Sequence, residues 1–342
     1  MKLKKRLKLS IKSYSFLKKQ PKNNLPLGKS VFLDFDRHDY TINYYTFIKF
    51  FLIEGYNIIL SKKVSLVVNM INDLYAKEVL NEANVYFLKR KHIKKDIKTI
   101  KIKPYYFQDI RLSSKEMVFP ICMHPEMYYN QLWVESYDIL KEKKSSFMIG
   151  NFNSTAYGKI NDRNFDILNR NKILEILSEK DLSISFKSID EIKKYIHGND
   201  DGKCIVIDRR EVSIRIENLR KTFTPFYFFL AFPGTIFPLC HNIIEAMSCG
   251  CIPILQESYA RYMFPNLVNG KNAIIFENEL DLESKVKMAF SLGDDSLNQL
   301  TKGVEEYYKE NLTPEGVINN IMNGNINEVY IVCNRLVDKL RG

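Results

Sequence analysis

His241 and Glu245 are the residues of this chain whose types and spacing best suit ligand chemistry. The surrounding sequence predicts a helix over Leu239 to Cys249 that ends at Gly250, where a glycine C-cap belongs. His241 and Glu245 are expected one turn apart on this helix. The N–H groups at a helix start suit a phosphate, to which a protonated His241 adds charge. A carboxylate one turn further in suits a pair of ribose hydroxyls.

Two buried strands are expected to hold this helix. Phe226 to Phe232 and Ile252 to Leu255 are apolar runs of strand length on either side of it. A strand–loop–helix–strand unit builds a parallel sheet, and such sheets bind ligands at the carboxyl ends of their strands. We therefore expect Gly234 and Thr235 in the loop, and Asn242 at the helix start, to line the site. The alternatives are a simple turn for Gly234 and a helix cap for Asn242.

Two further strand ends carry suitable residues. One predicted strand ends at Gly150 and is followed by Asn151, while a strand over Cys204 to Ile207 is followed by Arg209 and Arg210. Two guanidinium groups at the carboxyl end of a strand suit a diphosphate. Ion pairing at the surface is the alternative for at least one of the two arginines.

The stretch from Cys240 to Leu255, CHNIIEAMSCGCIPIL, resembles the donor-binding element of glycosyltransferases with the GT-B architecture. The likeness is greatest to exostosin-like and bacterial surface-polysaccharide sugar transferases. Phe147 to Asn153, FMIGNFN, is more loosely similar to the strand and glycine loop that open their donor domain. The resemblance implies two Rossmann-like domains facing a cleft, with the nucleotide sugar held mainly by the second domain. It implies that Glu245 bonds the donor ribose and that Gly150 and Asn151 line the donor cleft.

The resemblance also bears on the mechanism. It implies no cofactor and no required metal ion, because fixed positive groups neutralise the leaving diphosphate and the nucleotide sugar is the donor substrate. Asp34 and Asp36 match the Asp-x-Asp pattern of metal-dependent transferases. However, Asp34 lies inside an apolar run, so we interpret the match as accidental. Many retaining members carry a second glutamate eight residues before the ribose one, and that position is Phe237 here. A retaining reaction through that arrangement is therefore not supported.

The catalytic base is expected in the first half of the chain. An inverting sugar transfer needs a carboxylate or imidazole that removes the proton of the acceptor hydroxyl. Asp36, His38 and Asp39 lie in the loop after the first predicted strand and suit this role. His124, with Glu126, is the alternative, because its loop also follows a predicted strand. For each of them, a loop hydrogen bond or a helix cap is the structural explanation.

The 342 residues suit two domains of about 150 residues each. Buried apolar runs alternate with amphipathic segments in both halves, which predicts an α/β fold of two Rossmann-like βαβ domains. We predict a basic amphipathic tail at 1–29, an acceptor domain at 30–140, a donor domain at 147–325 and a C-terminal helix at 326–342. The apolar residues of Glu328 to Leu340 recur at helical spacing. The resemblance implies that this helix packs back on the first domain.

The positive charge is concentrated in the tail. Residues 1–29 hold ten basic side chains and no acidic one, so that the formal net charge of +11 leaves about +1 for the rest of the chain. Lysines interleaved with leucine, isoleucine and aromatic residues are typical of a segment that binds an anionic membrane surface. A solvated tail and a nucleic-acid-binding segment are the alternatives. A second basic run, Lys89 to Lys103, either extends that surface, lines the acceptor side of the cleft or is a solvated connection.

Together these patterns predict a glycosyltransferase that moves a sugar from a nucleotide sugar to a cell-surface glycan or lipid-linked acceptor. We expect it in the cytoplasm, peripheral on the inner face of the cell membrane. No stretch approaches the roughly 18 apolar residues of a membrane span, no signal peptide is visible and no disulfide framework is present. The alternatives are a nucleotide-sugar epimerase of the same fold and a non-enzymatic protein that binds membrane or nucleic acid.

Overall fold

The chain forms two compact units, Met1–Tyr128 with Thr313–Gly342, and Tyr129–Leu312. We call them unit 1 and unit 2. The computed structural model describes residues 2–20, 28–35, 42–107, 109–137, 141–157, 165–198, 202–235 and 237–332. The strands are β1 (Ser30–Phe35), β2 (Asn57–Ser61), β3 (Val85–Leu88), β4 (Lys98–Tyr105), β5 (Glu116–Val118), β6 (Lys143–Gly150), β7 (Ser183–Ser185), β8 (Cys204–Asp208), β9 (Phe226–Leu230), β10 (Ile252–Gln256), β11 (Ile274–Phe276) and β12 (Glu328–Val332).

The helices flank these strands. They are α1 (Lys2–Lys19), α2 (Ile42–Ile53), α3 (Val64–Asn72), α4 (Ala76–Val79), α5 (Pro125–Tyr129), α6 (Ser154–Tyr157), α7 (Arg170–Glu179), α8 (Ile189–His197), α9 (Ile216–Phe223), α10 (Asn242–Met247), α11 (Glu257–Ala260), α12 (Glu279–Phe290), α13 (Asp294–Asn311) and α14 (Pro314–Asn323). Short 3-10 helices cover Arg90–His92 and Leu132–Val134.

Unit 1 is built on a six-stranded sheet in the order β3-β2-β1-β4-β12-β5. Every pairing in it is parallel. Central strands of such sheets are covered on both faces and therefore read as continuous apolar runs. Val31, Phe32 and Leu33 of β1 are accordingly all buried. Helix α2 packs on this sheet with a cluster of buried aromatic rings, in which Phe47 and Phe50 contact Phe119 edge to face.

The predicted helix over Glu328 to Leu340 is wrong where the structure describes it. Glu328–Val332 form β12, which pairs with β4 on one side and β5 on the other. Val329 and Ile331 are fully buried between them. The segment is rich in β-branched residues, and over so short a stretch its apolar spacing fits the period of a helix as well as that of a strand. Its hydrogen-bonding partners decide between helix and strand, and these partners lie far away in the sequence. Residues 333–340 of that prediction lie outside the described residues.

Helix α1 is part of unit 1, although the sequence predicts only a basic tail there. It packs along α3. Ser13 and Leu17 are buried, and the Phe16 ring meets Phe87 of β3 edge to face at 5.5 Å between centroids. Among the described residues, no helix combines the length and hydrophobicity that a bilayer span requires.

Unit 2 contains a second six-stranded sheet, in the order β11-β10-β9-β6-β8-β7. All its pairings are parallel. The chain runs from β6 to β7, returns to β8 beside β6, and then crosses to β9 on the other side of β6. The topological switch point therefore lies between β6 and β9. Two parallel sheets with flanking helices confirm the predicted α/β class with two Rossmann-like units, but α14, predicted in the donor domain, belongs to unit 1.

Candidate functional site

The carboxyl ends of β6 and β9 meet at the switch point of unit 2. Open parallel sheets bind ligands in the crevice that forms outside such a point, because the loops on its two sides diverge there. In this unit, the loop after β6 begins at Asn151, and the loop after β9 contains Pro233 and Gly234. The candidate site is therefore defined by what holds these two loops.

Arg170, the first residue of α7, joins the two loops. Its Nη1 donates to the carbonyl oxygen of Asn151 at 2.7 Å, and its Nη2 donates to the carbonyl oxygen of Pro233 at 3.0 Å. The side chain is only 2% exposed. The Cζ atom lies 3.9 Å from the centroid of the Tyr157 ring and 5.4 Å from that of Phe152. The guanidinium is thus covered by aromatic rings of the loop after β6 and of α6.

No carboxylate of the described residues balances the positive charge of Arg170. Within the described ranges, no carboxylate oxygen lies within 4.0 Å of its nitrogens, and its buried Nε has no hydrogen-bond acceptor. Burying a charge without an opposite charge is costly, and carbonyl dipoles and aromatic faces offset only part of that cost. The strand ends at the switch point therefore carry a positive field that favours an anion.

Gly150 allows the end of β6 to pack closely against this guanidinium, because glycine has no Cβ atom. A Cβ atom at this position would lie 2.8 Å from Nη1 of Arg170, closer than real Cβ contacts. The predicted site residue Gly150 is thus explained by close packing against a side chain. Asn151, the other residue predicted here, contributes its carbonyl oxygen to Arg170, and its side-chain Oδ1 accepts from the N–H of Asn153 at 2.9 Å.

Of the arginine pair predicted to clamp a diphosphate, neither side chain takes part in this arrangement. Arg209 is exposed, and its backbone N–H donates to the carbonyl oxygen of Gly150 at 2.9 Å. Arg210 forms an ion pair with Asp208. The hydrogen bond from Arg210 is the largest cause that holds the pKa of the Asp208 carboxyl below its ordinary value. Arg210 thus matches the alternative interpretation, in which one of the two arginines forms an ion pair at the surface.

Gln256 supports Arg170 from the end of β10. Its Oε1 accepts from the N–H of Leu168 at 2.7 Å, and its Nε2 donates to the carbonyl oxygen of Glu277 at 3.2 Å. Asn169 then caps α7 by accepting from the N–H of Lys172 at 2.9 Å. The segment that leads into Arg170 is therefore fixed by side-chain hydrogen bonds on both sides. Sequence reasoning missed both Gln256 and Arg170, since no local motif marks either residue.

Helix α10 is shorter than the sequence predicts. It covers Asn242–Met247, whereas the prediction was Leu239 to Cys249. The residues before it form a loop, in which the N–H of Cys240 donates to the buried hydroxyl of Tyr259 at 2.9 Å. The C-cap residue of α10 is Ser248, and Gly250, two residues further, has the left-handed φ of 71° that favours a glycine after a helix. A helix of six residues has a weak dipole, so its start alone does not make a phosphate site.

Asn242 and His241 begin this helix beside the switch point. The side-chain amide of Asn242 donates to the carbonyl oxygen of Ile149 in β6 at 2.8 Å. This bond connects the start of α10 directly to the strand that ends at Gly150. His241 is half-buried at the N-cap position and makes no capping bond through its side chain. Asn242 therefore lies next to the end of β6, and His241 precedes it at the helix start; contact of either residue with a phosphate stays a prediction.

Glu245 is 1% exposed. Ile243, Ile244 and Met247 are buried as predicted, so that α10 is enclosed on the face of Glu245 as well. A solvent-facing glutamate, the ordinary fate of this residue type, is excluded. Buried carboxylates are retained where polar partners or ligands compensate for lost hydration. The carboxyl group of Glu245 is thus enclosed by protein, and its contact with a donor ribose stays a prediction.

Gly234 is needed by the loop itself. A Cβ atom there would lie 2.8 Å from the carbonyl oxygen of Phe237 and 3.1 Å from that of Leu239. Its N–H donates to the carbonyl oxygen of Pro238 at 3.3 Å. The tight turn, one of the two explanations weighed for this glycine, is thus present. Thr235, the next residue, is half-buried.

We expect Gly234→Ala to lower the free energy of unfolding by about 1 to 3 kcal/mol, because the new methyl group overlaps backbone atoms that cannot rotate away. Denaturant unfolding measures the change. Gly293→Ala is the matched control, since a Cβ atom at Gly293 meets nothing within 4 Å. Equal stability of the two variants would contradict the tight packing around Gly234.

The candidates for the catalytic base belong to unit 1. Asp36, His38 and Asp39 lie outside the described residues. His124 is half-buried, and its Nδ1 accepts from the N–H of Glu126 at 3.4 Å. Its ring packs edge to face on Tyr75, with 5.7 Å between centroids. The loop hydrogen bond weighed as the structural explanation for His124 is therefore present.

The two sets of candidates do not follow neighbouring strands. In the sequence, Asp36, His38 and Asp39 come after β1, whereas the loop of His124 follows β5, which lies three positions from β1 in the sheet. Three strand spacings are about 14 Å. Asp34, the first residue of the Asp-x-Asp match, pairs with Arg90 at 3.2 Å. In the part of the chain that the structure describes, no group of three histidine, cysteine or acidic side chains is placed to hold a metal ion.

Neither a family model nor a curated protein matches the sequence. Solved structures do match. TarM from S. aureus is 12% identical, with a TM-score of 0.37 over 81% of this chain and 57% of TarM. HepE from Anabaena in complex with UDP is 10% identical, with a TM-score of 0.44 over 86% of this chain and 99% of HepE. A glycosyltransferase from Rickettsia africae is 12% identical, with a TM-score of 0.38 over 87% of this chain and 98% of that one. The chain thus spans little more than half of TarM, and its function has to be argued from the site.

Proposed function

We propose that this chain is a glycosyltransferase that binds a nucleotide sugar at the switch point of unit 2. The observation that carries the proposal is the buried guanidinium of Arg170, which no described carboxylate neutralises and which joins the loops after β6 and β9. A nucleoside diphosphate supplies the anion that this field favours. The position at the carboxyl ends of parallel strands supports the same ligand class.

The proposed donor complex uses the residues around that point. The diphosphate lies against the loops after β6 and β9, beside Gly150 and Gly234, and Glu245 accepts hydrogen bonds from the ribose hydroxyls. His241 adjoins the phosphates. The fixed charge of Arg170 stabilises the diphosphate as it leaves, without a metal ion and without reorganisation during the reaction.

In the proposed reaction, the acceptor hydroxyl oxygen attacks the anomeric carbon of the sugar. The bond from that carbon to the diphosphate oxygen breaks, and the diphosphate leaves with the electron pair. His38 with Asp36 or Asp39, or alternatively His124, takes the proton of the acceptor hydroxyl. The acceptor is a cell-surface glycan or a lipid-linked glycan. The lysine-rich α1 supports a location on the inner face of the cell membrane.

A thermal-shift screen against common nucleoside diphosphates and their sugars tests the proposal. A ligand at a hundred times its dissociation constant is expected to add about 2.7 kcal/mol to the free energy of unfolding. Incubation of that nucleotide sugar with acceptor glycans should then release the nucleoside diphosphate. Epimerised free donor without transfer would instead assign the chain to the epimerases. No shift with any nucleotide, together with salt-sensitive binding to DNA, would contradict the proposal.

A further inference from the structure

Unit 1 contains a basic cavity that the proposed sugar transfer does not use. Its volume is about 520 Å³, and it opens between α1, the start of α3 and the 3-10 helix Arg90–His92. Apolar and basic side chains line it together: Tyr14, Leu17, Lys18, Lys62, Val64, Lys89 and His92. The fold places two of these lysines at strand ends, because Lys62 directly follows β2 and Lys89 directly follows β3. These neighbouring strands present them at the carboxyl edge of the sheet, where parallel sheets bind ligands.

The described part of the protein does not neutralise the charges of this cavity. Among the described residues, Lys18, Lys62 and Lys89 have no carboxylate within ion-pair distance. Asp34 is near in the sheet, but its carboxylate pairs with Arg90 at 3.2 Å. Three lysines around one concave surface repel each other unless an anion lies between them. The cavity therefore favours a compact anionic group such as a phosphate.

An exposed apolar stripe on α1 leads to the mouth of the cavity. Leu7, Ile11 and Tyr14 are 63%, 62% and 64% exposed, and their spacing of four and three residues puts them on one face of the helix. Tyr14 belongs both to this stripe and to the cavity lining. Lys18 continues the stripe one turn further. The exposed lysines Lys8, Lys12 and Lys19 flank it on the side away from the cavity.

We propose that the stripe and the cavity together form a docking site for an anionic phospholipid bilayer. The stripe lies at the level of the headgroups with its apolar side chains turned toward the acyl chains, and the cavity holds the phosphate of one lipid headgroup. Charge complementarity selects this occupant. Lys18 and Lys89 are exposed and Lys62 is half-buried. A neutral apolar partner leaves these three lysines without counterions, whereas an anionic bilayer supplies both the apolar layer and the phosphates.

Vesicle flotation with the full chain tests this proposal. The vesicles contain either phosphatidylcholine alone or equal parts of phosphatidylcholine and phosphatidylglycerol. We expect binding only to the second kind. Lysine near an anionic surface contributes about 1 kcal/mol, so the double variant Lys62→Ala, Lys89→Ala is expected to bind about 25-fold more weakly. The double variant Leu7→Ser, Ile11→Ser is expected to reduce vesicle binding at least as much as the double lysine variant does.

The matched control is the double variant Lys94→Ala, Lys95→Ala, which removes the same charge from exposed positions of unit 1 outside the cavity lining. We expect it to lose less than fivefold in binding. Equal losses from the two lysine pairs would show diffuse attraction and would overturn the headgroup site. Unchanged vesicle binding by the cavity variant, with loss of binding to duplex DNA instead, would overturn the lipid assignment.

The altered side chains are exposed or half-buried, so thermal unfolding should be unchanged. The proposal does not depend on sugar transfer, and nucleotide binding by these variants is expected to equal that of the parent chain.

Discussion

Arg170→Met is expected to weaken the binding of the nucleoside diphosphate by about 100-fold, which corresponds to about 2.7 kcal/mol. The substitution removes the only charge that connects the loops after β6 and β9 in the described site, and it frees the carbonyl oxygens of Asn151 and Pro233. Each unsatisfied buried acceptor costs about 1 to 3 kcal/mol, so the free energy of unfolding should fall as well. Isothermal titration with the nucleotide identified by the screen measures the affinity.

Two further arginine variants separate charge from folding. Arg170→Lys keeps the positive charge but cannot form both bonds in the geometry of a guanidinium. We expect it to fold and to bind about tenfold more weakly than the parent chain. Arg210→Met removes an exposed arginine that pairs with Asp208, and its nucleotide affinity should be unchanged. Parent-like affinity in both Arg170 variants would contradict an anion site at the switch point.

Glu245→Gln is expected to abolish the preference for ribonucleotides. In the proposed complex the carboxylate accepts from both ribose hydroxyls, whereas the amide can accept through one oxygen only. The parent chain should bind a nucleoside diphosphate at least tenfold more tightly than its 2′-deoxy counterpart, and the variant should bind the two almost equally. Titrations with the two nucleotides give this ratio. Because glutamine has nearly the same shape, the buried helix α10 should remain folded.

The control for this variant is Glu217→Gln on the exposed face of α9. It changes the same chemical group on another helix of unit 2 and should leave the ratio of the two affinities unchanged. A Glu245→Gln protein that is folded and still discriminates against the deoxynucleotide as the parent does would remove Glu245 from the ribose site.

The sequence predicts the strands of both sheets well because most of them are covered on both faces. Apolar runs such as Val31 to Phe35 and Ile252 to Leu255 lie within or coincide with observed strands to within a residue or two. The strand β12 is not predicted by this reasoning. Its neighbours β4 and β5 are more than 200 residues away in the chain, as the bond between Tyr330 and Glu116 illustrates at a separation of 214. Local periodicity carries no information about such partners.

The residues of the candidate site likewise fall into those that the local sequence predicts and those that depend on distant contacts. Glu245 and Asn242 belong to a continuous stretch, so their place beside the end of β6 follows from the strand–loop–helix–strand pattern. Arg170 does not, because its acceptors lie 19 and 63 residues away and its burial depends on rings from another segment. Any arginine near the start of a helix looks alike in sequence. Only the fold distinguishes Arg170 from exposed arginines such as Arg209.

The most direct test is a crystal structure of the chain with the nucleoside diphosphate found in the screen. The account predicts the diphosphate at the ends of β6 and β9, beside Gly150 and the guanidinium of Arg170, with the ribose turned toward Glu245. A nucleotide bound to unit 1, or to unit 2 away from these strand ends, would contradict it.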